Sequence, residues 1–528
     1  FTLENFIYVD KTEYIPKLVK LKRVFISRPR RFGKSLTLDT IATLFETGVE
    51  PYFKGTWIYD KWTEPTYPVL RLNFLDLDKY SLDLFKQKLN SIITAFAQDI
   101  KLKGYKEKVE PEDTIYFLLD ELRKEKRQIV ILIDEYDCQM TANINNETLY
   151  NQFQEKIKSF YATIKNKWPI KFLGITGVTR LKDVEIFSIG SDINDITNES
   201  AFSQLIGFTR DEIKKYYIDY LKLAASYENK CRVEEVTDAQ IESMLDMMAQ
   251  NYDGYCFDED YEKKVFNTWS VNKFFQTMVG KKKVQFGEYW YDNGGLPSIL
   301  VNYLKTHELN IFEYLDKDKF LKVSSDDFKN PTALTTINQN VLMCQTGYLT
   351  LRSDLNKTST VALGIPNGEI YKALNRLLAN NIFKGNTDIT DDYGRSLLEV
   401  GTVDDIINLF NSALNSVSYD NYPIVSESSV QNMLKLYLLG AHQKVLSEVH
   451  EAKGRADLVV NTDNRRIVFE FKYAKNETEA KTKLSEAVEQ IKTRDYGNIL
   501  PKKAELIRIA AVFNADPKVR AFTEFQLV

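Results

Sequence analysis

Ser27-Arg28-Pro29-Arg30-Arg31-Phe32-Gly33-Lys34-Ser35 is the stretch on which the reading of this chain turns. It follows a short apolar strand, Arg23-Val24-Phe25-Ile26, and opens a stretch that carries Leu38, Ile41, Ala42 and Phe45 on one helical face. Strand, loop, Gly-Lys-Ser and helix together are the layout of a phosphate-binding P-loop. Backbone N–H groups at a helix N-terminus attract phosphate. Arg30, Arg31, Phe32, Gly33 and Leu36 are therefore expected around the phosphates of ATP. Lys34 is expected to reach the β- and γ-phosphates, and Ser35 to hold the Mg²⁺ that accompanies them. The first glycine of G-x-x-x-x-G-K-[ST] is replaced by Arg28, so the loop is expected to take a different shape from one with a permissive glycine there.

The next informative run is Gln128-Ile129-Val130-Ile131-Leu132-Ile133-Asp134-Glu135-Tyr136-Asp137. A continuous β-branched run suits a strand buried on both faces of a parallel sheet. Two acids close it. Asp134 is expected to bind the nucleotide's Mg²⁺ through water, and Glu135 to polarise the attacking water. On its own the run also fits an ordinary buried strand with an acidic turn; paired with Gly33-Lys34-Ser35 upstream it reads as the second half of a nucleotide site. Pro68 to Phe74 and Ile170 to Arg180 supply further strands, with a helix carrying Leu84, Leu89, Ile92 and Ile93 between the first of them and Gln128. Thr176 and Arg180 stand where a γ-phosphate is sensed, and equally where a capping threonine and a surface arginine would stand. Tyr8-Val9-Asp10-Lys11-Thr12 and the short helix from Ile15 to Leu21 read as a packing element in front of the first strand. From Thr209 onward the sequence turns helical and Tyr-rich, as a lid over such a core would.

Composition sets the outer limits. The chain has 528 residues, 27% charged and 44% hydrophobic, with a net charge of −4. Its length suggests three or four domains at roughly 100–200 residues each. The balance of charge allows nucleic acid only at a local basic surface. Cys138, Cys231, Cys256 and Cys344 are far apart and read as buried thiols in a reducing compartment, the cytoplasm. Three histidines do not make a His-rich metal site. No apolar run approaches the length of a membrane span, and no segment starting from Phe1 reads as a targeting signal.

In the middle of the chain Met244, Leu245, Met247 and Met248 are expected in a core. Tyr252 to Phe257 and Asn293 to Pro297 read as turns. Ile337 to Asn367 has the pattern of a helix followed by a hairpin (Tyr348 to Leu351, then Val361 to Ile365), as in a winged-helix module. With no strong Lys/Arg cluster, it is expected to transmit lid motion rather than to contact DNA.

The C-terminal part carries a second chemistry. Glu427 to Leu439 reads as a helix. Gly454 to Val460 and Ile467 to Lys472 read as strands joined by a polar turn, Asn461 to Asn464. Period two places Ile467, Phe469 and Phe471 on one face and Val468, Glu470 and Lys472 on the other. A hairpin brings Asp457 beside Glu470 and Lys472. Glu-x-Lys alone is more often a solvated pair on an edge strand; Gly-Arg-x-Asp upstream and a helix downstream move the reading to a PD-(D/E)xK nuclease site. Asp457 and Glu470 are expected to bind one or two Mg²⁺, which activates water and stabilises charge on the scissile phosphate. Lys472 is expected to orient that water and counter the developing charge. The downstream helix has Leu484, Ala487, Val488 and Ile491 on its apolar face, and Ile507 to Phe513 is the last expected strand.

Tyr-Val-Asp-Lys-Thr at 8–12, Ser-Arg-Pro-Arg-Arg-Phe-Gly-Lys-Ser at 27–35 and Ile-Asp-Glu-Tyr-Asp at 133–137 resemble the AAA-ATPase-like family, whose bacterial and archaeal members commonly carry a C-terminal PD-(D/E)xK nuclease domain. The resemblance continues in Ile206 to Thr209, Tyr252 to Tyr255, Thr346 to Thr350 and Ile365 to Asn367, and so spans nearly the whole chain. Arg28 is similar to that family's own form of the loop. Gln490 and Tyr496 resemble the Gln…Tyr element of RecB-like nucleases, which approaches the active site. Glu427 and Glu448 are rival candidates for that family's upstream helical acid. The resemblance implies an α/β architecture: a P-loop core over 1–205 with a parallel sheet, a helical lid over 206–300, a winged-helix-like connector over 301–375, a helical linker over 376–424 and a restriction-endonuclease-like domain over 425–528.

Two functions of different class follow. In the first, ATP binding or hydrolysis controls a metal-dependent nuclease acting on nucleic acid, with DNA favoured over RNA. In the second, the protein is a nucleotide-controlled switch whose nuclease-like fold only docks nucleic acid or a partner. No membrane partner is expected, and self-association into a homo-oligomer is left open.

Overall fold

The computed structural model describes residues 6–165, 167–180, 192–290, 298–304, 311–331, 333–383, 393–441, 444–451, 454–496 and 505–528. The expected turn at 293–297 lies outside them. The chain divides into two compact units, Phe1–His307 with Phe320–Ile370, and Glu308–Lys319 with Tyr371–Val528.

The first unit is built on a five-stranded sheet of β1 (Arg23–Ser27), β2 (Val69–Asn73), β3 (Ile129–Asp134), β4 (Ile170–Gly177) and β5 (Asn194–Asp195). Their order is β2-β3-β4-β1-β5, and every pair is parallel. Ile129 to Ile133 are all buried. Helices connect the parallel strands and cover both faces of such a sheet, which is why this run is continuous rather than alternating. Each of those side chains contributes about 1.5–3 kcal/mol by leaving water. β4 lies between the P-loop strand and the acid-ended strand, pairing Ile26↔Thr176 on one side and Ile133↔Ile175 on the other. Thr176 is thereby set between loop and acid. Gly177, one step on, has no alternative: a Cβ there would stand 2.4 Å from the Tyr136 ring. The helix Lys34–Thr47 leaves the loop and buries Leu38, Ile41, Ala42 and Phe45, the face expected from their spacing.

Helices Arg210–Tyr216, Ile218–Asn229, Asp238–Tyr252 and Thr268–Lys281 follow. They close on a core of Leu221, Met244, Leu245, Met248, Val271 and Phe274, with Met247 at its margin. The first of these helices opens on a reciprocal cap: Glu212 N–H donates to Thr209 Oγ1 and Thr209 N–H to Glu212 Oε2. The unit ends in a three-stranded antiparallel sheet of β6 (Leu321–Ser324), β7 (Thr350–Leu351) and β8 (Thr360–Gly364), in the order β6-β8-β7. The β7–β8 hairpin is the one expected from the sequence. β6 was not anticipated, because four residues of Leu-Lys-Val-Ser carry too short an alternation to stand out.

The second unit holds β9 (Lys444–Glu451), β10 (Gly454–Asn461), β11 (Arg465–Ala474), β12 (Glu505–Asn514) and β13 (Ala521–Leu527) in the order β13-β12-β11-β10-β9. β11 and β12 run parallel through ten registered pairs, and the other neighbours are antiparallel. A parallel pair needs a crossover, and the helix Glu477–Arg494 belongs to it. That helix packs Ala487 and Ile491 with Val468, Val459 and Ala510. On the opposite face Phe469 meets Phe410 at 5.3 Å and Phe471 meets Phe522 at 5.6 Å. The alternation along β11 is therefore the expected one. The sheet continues past 507–513, where the sequence reading ended it: β13 adds an antiparallel strand, and its largely solvated Ala-Phe-Thr-Glu-Phe-Gln-Leu pattern is what hid it.

No helix among the described residues is long and apolar enough to cross a membrane. All four cysteines are free; Cys138 and Cys256 are buried, while Cys231 and Cys344 are only half-buried, a correction to the expectation that all four are interior.

Candidate functional site

Each unit carries a site. In the first, Gly33 caps the helix Lys34–Thr47 with φ +105°, a left-handed turn that glycine adopts without a Cβ penalty. The Lys34 side chain is buried, and its Nζ donates to the Arg28 and Pro29 carbonyls at 3.1 and 3.3 Å and stands 3.5 Å from Glu135 Oε1. Ser35 Oγ donates to Asp134 Oδ2 at 2.5 Å. Asp134 Oδ1 accepts from Thr176 Oγ1 and, at 3.0 Å, from the Glu135 N–H. Loop, acid-ended strand and intervening strand thus converge on one carboxylate. Glu135 sits at φ +52°, a conformation that costs a non-glycine residue on the order of 1 kcal/mol.

Arg28 explains how the loop manages without its first glycine. Its guanidinium turns away from the cleft and is fully buried. Nη1 donates to the carbonyls of Ser27 (2.9 Å) and Thr197 (2.6 Å), and Cζ lies 4.1 Å from the centre of the Phe257 ring. Burial lowers its pKa to about 9. Phe32 is buried as well, edge-on against Tyr255 at 4.7 Å and Phe257 at 5.5 Å. Both side chains anchor the loop from below.

Above it opens a cleft of about 500 Å³ lined by Arg30, Arg31, Lys34, Ser35, Glu135 and Trp269. A neighbouring cavity of about 170 Å³ shares Gly33, Leu36, Thr268 and Asn272 with the cleft and is lined further by Tyr8, Phe208 and Tyr217. Sequence reasoning missed this second cavity. It took Tyr8 to Thr12 as packing alone, and part of that holds: Thr12 is buried, and Lys11, also mostly enclosed, pairs with Glu212 at 2.6 Å. Tyr8 nonetheless faces a cavity. The walls come from segments 200 residues apart, so no local pattern announces them. Arg180 lies elsewhere: its guanidinium pairs with Asp195, its N–H donates to Gln345 Oε1 at 3.2 Å, and it lines neither cavity.

In the second unit, β10 pairs with β11 as far as Leu458↔Phe469. One step beyond, Asp457 stands opposite Glu470, and Asp457 Oδ2 accepts the Phe471 N–H at 2.8 Å in place of a ladder bond. Lys472 Nζ donates to Glu470 Oε1 at 2.8 Å and lies 3.5 Å from Glu427 Oε1. Glu427, the first residue of the helix Glu427–Gly440, is therefore at the site; the rival Glu448 has its side chain outside the described residues. Burial, joined by the charges of Asp457 and Glu427, pushes the Glu470 carboxyl up to about 7 despite Lys472. Burial likewise raises Asp457 to about 6, against the Phe471 N–H and the Lys472 charge. Burial alone would lower the Lys472 pKa, but its bond to Glu470 and the charges of Glu470, Glu427 and Asp457 outweigh that and raise it.

Glu470 Oε2 is buried and has no hydrogen-bond partner. A bare carboxylate oxygen in that setting is unfavourable by several kcal/mol unless a cation or donor meets it, so the donor set fits a divalent metal. Among the described residues no three His, Cys, Asp or Glu side chains form a ready-made cation cage. Mg²⁺ requires none, since it keeps waters and is held by one or two carboxylates. Gln490 does not reach the carboxylates: its Nε2 donates to Tyr496 OH at 3.3 Å, which also accepts from Arg494 Nη1 at 2.7 Å.

Comparison with known proteins agrees with this division. Residues 1–187 match the family model described as "Predicted AAA-ATPase", and residues 425–523 match the PD-(D/E)XK nuclease superfamily. The chain is thus similar to an AAA-ATPase-like domain over its first part and to a PD-(D/E)XK nuclease-superfamily domain over its last. It is 25% identical, over 98% of its length and 94% of the relative's, to an uncharacterized protein in the vnfD 5′ region of Azotobacter chroococcum mcd 1. Among solved structures, Cdc6p from Pyrobaculum aerophilum matches at 10% identity and TM-score 0.26, over 71% of this chain and 96% of that one. The Aeropyrum pernix ORC1 protein in complex with DNA matches at 10% identity and TM-score 0.26, over 69% and 91%.

Proposed function

We propose that this protein binds and hydrolyses ATP in its first unit and, under that control, cleaves nucleic-acid phosphodiester bonds in its second, with DNA the favoured substrate. The observation that carries the nuclease reading is the buried, unpartnered Glu470 Oε2 opposite Asp457, with Lys472 held on the other oxygen. A divalent cation bound by Asp457 and Glu470 supplies the charge that activates water and steadies the phosphate in flight. Lys472 stays an ammonium because its acidic neighbours raise its pKa. It therefore acts as a fixed positive charge and hydrogen-bond donor toward water and phosphate, not as a base. Asp457 is oriented by the Phe471 N–H. Glu427, near Lys472, fills the role of the upstream acid.

In the first unit, Mg²⁺ held between Ser35 and Asp134 would screen the β- and γ-phosphates. The cleft takes the phosphates and the adjoining cavity behind Tyr8 takes the nucleoside. Lys34 gives up its carbonyl partners for phosphate oxygens. Glu135, freed from Lys34 in the same exchange, orients the attacking water. Thr176 holds Asp134 in place.

Incubating the protein with linear and circular DNA and with RNA, in Mg²⁺ or EDTA, with and without ATP, tests the whole reading. Expected is Mg²⁺-dependent cutting of DNA to 5′-phosphate products, altered by ATP and absent in Asp457→Ala. Nucleotide-dependent binding of DNA without any cutting overturns the nuclease half and leaves a switch protein.

A further inference from the structure

We infer that Arg31 is a phosphate-sensing residue: it engages the terminal phosphate of a bound nucleoside triphosphate and reports that phosphate to the helix Thr268–Lys281 through Trp269. The inference rests on the nucleotide reading of the first unit and adds how a triphosphate is told from a diphosphate there.

Five observations converge on this residue. Arg31 has φ +67°, an unusual conformation for a residue with a side chain, and it lines the cleft together with Lys34 and Ser35. Its guanidinium lies over the Trp269 ring, Cζ 4.5 Å from the centroid. Its Nη1 is buried without a hydrogen-bond partner. Its carbonyl accepts from Thr268 Oγ1 at 3.0 Å. Thr268 and Trp269 open the helix Thr268–Lys281, so one residue of the phosphate loop touches that helix twice, by backbone and by side chain.

The charges around it call for an anion. Arg30, Arg31 and Lys34 line one cleft, and among the described residues neither Arg30 nor Arg31 is paired with a carboxylate. Burial and the neighbouring Arg30 charge disfavour the Arg31 cation. Phosphate oxygens reverse both effects: they neutralise the pair and satisfy Nη1 with a charge-assisted bond. The contact with the Trp269 ring keeps the guanidinium beside the cleft before phosphate arrives. When Arg31 turns to meet phosphate, the indole loses the nearer of its two cations, keeping Lys273 Nζ at 5.1 Å, and the bond to Thr268 Oγ1 moves with the loop. A diphosphate, one anionic group shorter, leaves the stack as it is. The arginine is supplied by the same chain, so sensing requires no second copy.

Calorimetry and tryptophan emission on the full chain test this, with Mg²⁺ and either ADP or the non-hydrolysable analogue AMP-PNP. AMP-PNP is expected to change the emission and ADP to leave it nearly unaltered; Trp269→Phe is expected to abolish the change, which assigns it to that indole among the five tryptophans. Arg31→Ala is expected to weaken AMP-PNP about tenfold more than ADP, the size of one charge-assisted bond. Arg31→Lys keeps a cation but not the planar stack, and is expected to recover part of the preference without the emission change. Circular dichroism and the melting midpoint establish that each variant is folded. Equal weakening of both nucleotides in Arg31→Ala, or an AMP-PNP emission change that survives Trp269→Phe, overturns the inference while leaving the nucleotide site intact. Failure of the unaltered protein to bind either nucleotide overturns the site reading and the inference together.

Discussion

Ser35 Oγ and Asp134 Oδ2 are 2.5 Å apart although 99 positions separate them in the chain. The hydroxyl at the start of a helix and the carboxylate at the end of a strand meet because β4 spaces β1 from β3 by one strand. On the proposed nucleotide reading, such a pair would share one magnesium ion.

Removing that pair is expected to remove Mg²⁺-dependent affinity. Ser35→Ala and Asp134→Ala should each weaken Mg·ATP about 10- to 100-fold by calorimetry, the range for a lost interaction with a charged group. Lys34→Ala should abolish binding. Glu135→Gln should bind and lose turnover. Normal hydrolysis by both Lys34→Ala and Glu135→Gln would end the assignment.

The nuclease carboxylates and the lysine should separate by what they lose. Asp457→Ala and Glu470→Ala should lose both divalent-cation binding and cleavage. Lys472→Ala should retain cation and DNA and cut about 100-fold more slowly or worse, as when one fixed charge beside a reacting phosphate is removed. Mn²⁺ should replace Mg²⁺, whereas Ca²⁺ should support DNA binding only. A triple variant that cuts at the unaltered rate would discard the site.

Acidity offers a test that needs no substrate. The Glu470 carboxyl is pushed from 4.5 up to about 7 and Asp457 from 3.8 up to about 6. A carboxyl whose pKa is higher folded than unfolded favours the fold fully below its unfolded value, and that stabilisation is lost as pH rises through the folded value. Metal-free protein should therefore lose on the order of 3 kcal/mol between about pH 4 and 8 from Glu470 alone. Glu470→Gln should melt higher than the unaltered protein at pH 8 without metal, show no advantage at pH 4, and gain nothing from Mg²⁺. A lower midpoint at pH 8 in EDTA would contradict the burial argument.

Restoring the missing glycine of the loop should harm rather than help. Arg28→Gly deletes a buried guanidinium and leaves the Thr197 and Ser27 carbonyls without their donor. A loss of about 2–4 kcal/mol is expected in denaturant unfolding of the first unit. Equal or greater stability would show that Arg28 is not an anchor.

Much of this was legible in the chain itself, for local reasons. Gly33-Lys34-Ser35 and the Ile129–Asp134 run are contiguous motifs, and period two alone put Glu470 and Lys472 on one face of β11. What stayed hidden was assembled from a distance. Arg28 could not be seen to point inward, because its partners Thr197 and Phe257 lie far along the chain. The cavity behind Tyr8 and the Arg31–Trp269 stack join segments with no shared periodicity. Glu427 and Glu448 could not be ranked from sequence; Glu427 comes within 3.5 Å of Lys472, and the Glu448 side chain lies outside the described residues. β6 and β13 escaped because one is four residues long and the other alternates weakly.

The ammonium of Lys34 is held by the Arg28 and Pro29 carbonyls and by Glu135, the loop's own acceptors. An arriving anion must evict three acceptors before it gains one lysine. A small oxyanion such as free orthophosphate would offer few contacts for that exchange. A polyphosphate tail whose nucleoside also fills the neighbouring cavity offers many at once. On the proposed nucleotide reading, the loop would thus act as a filter by length, favouring a tethered phosphate chain over the free inorganic ion.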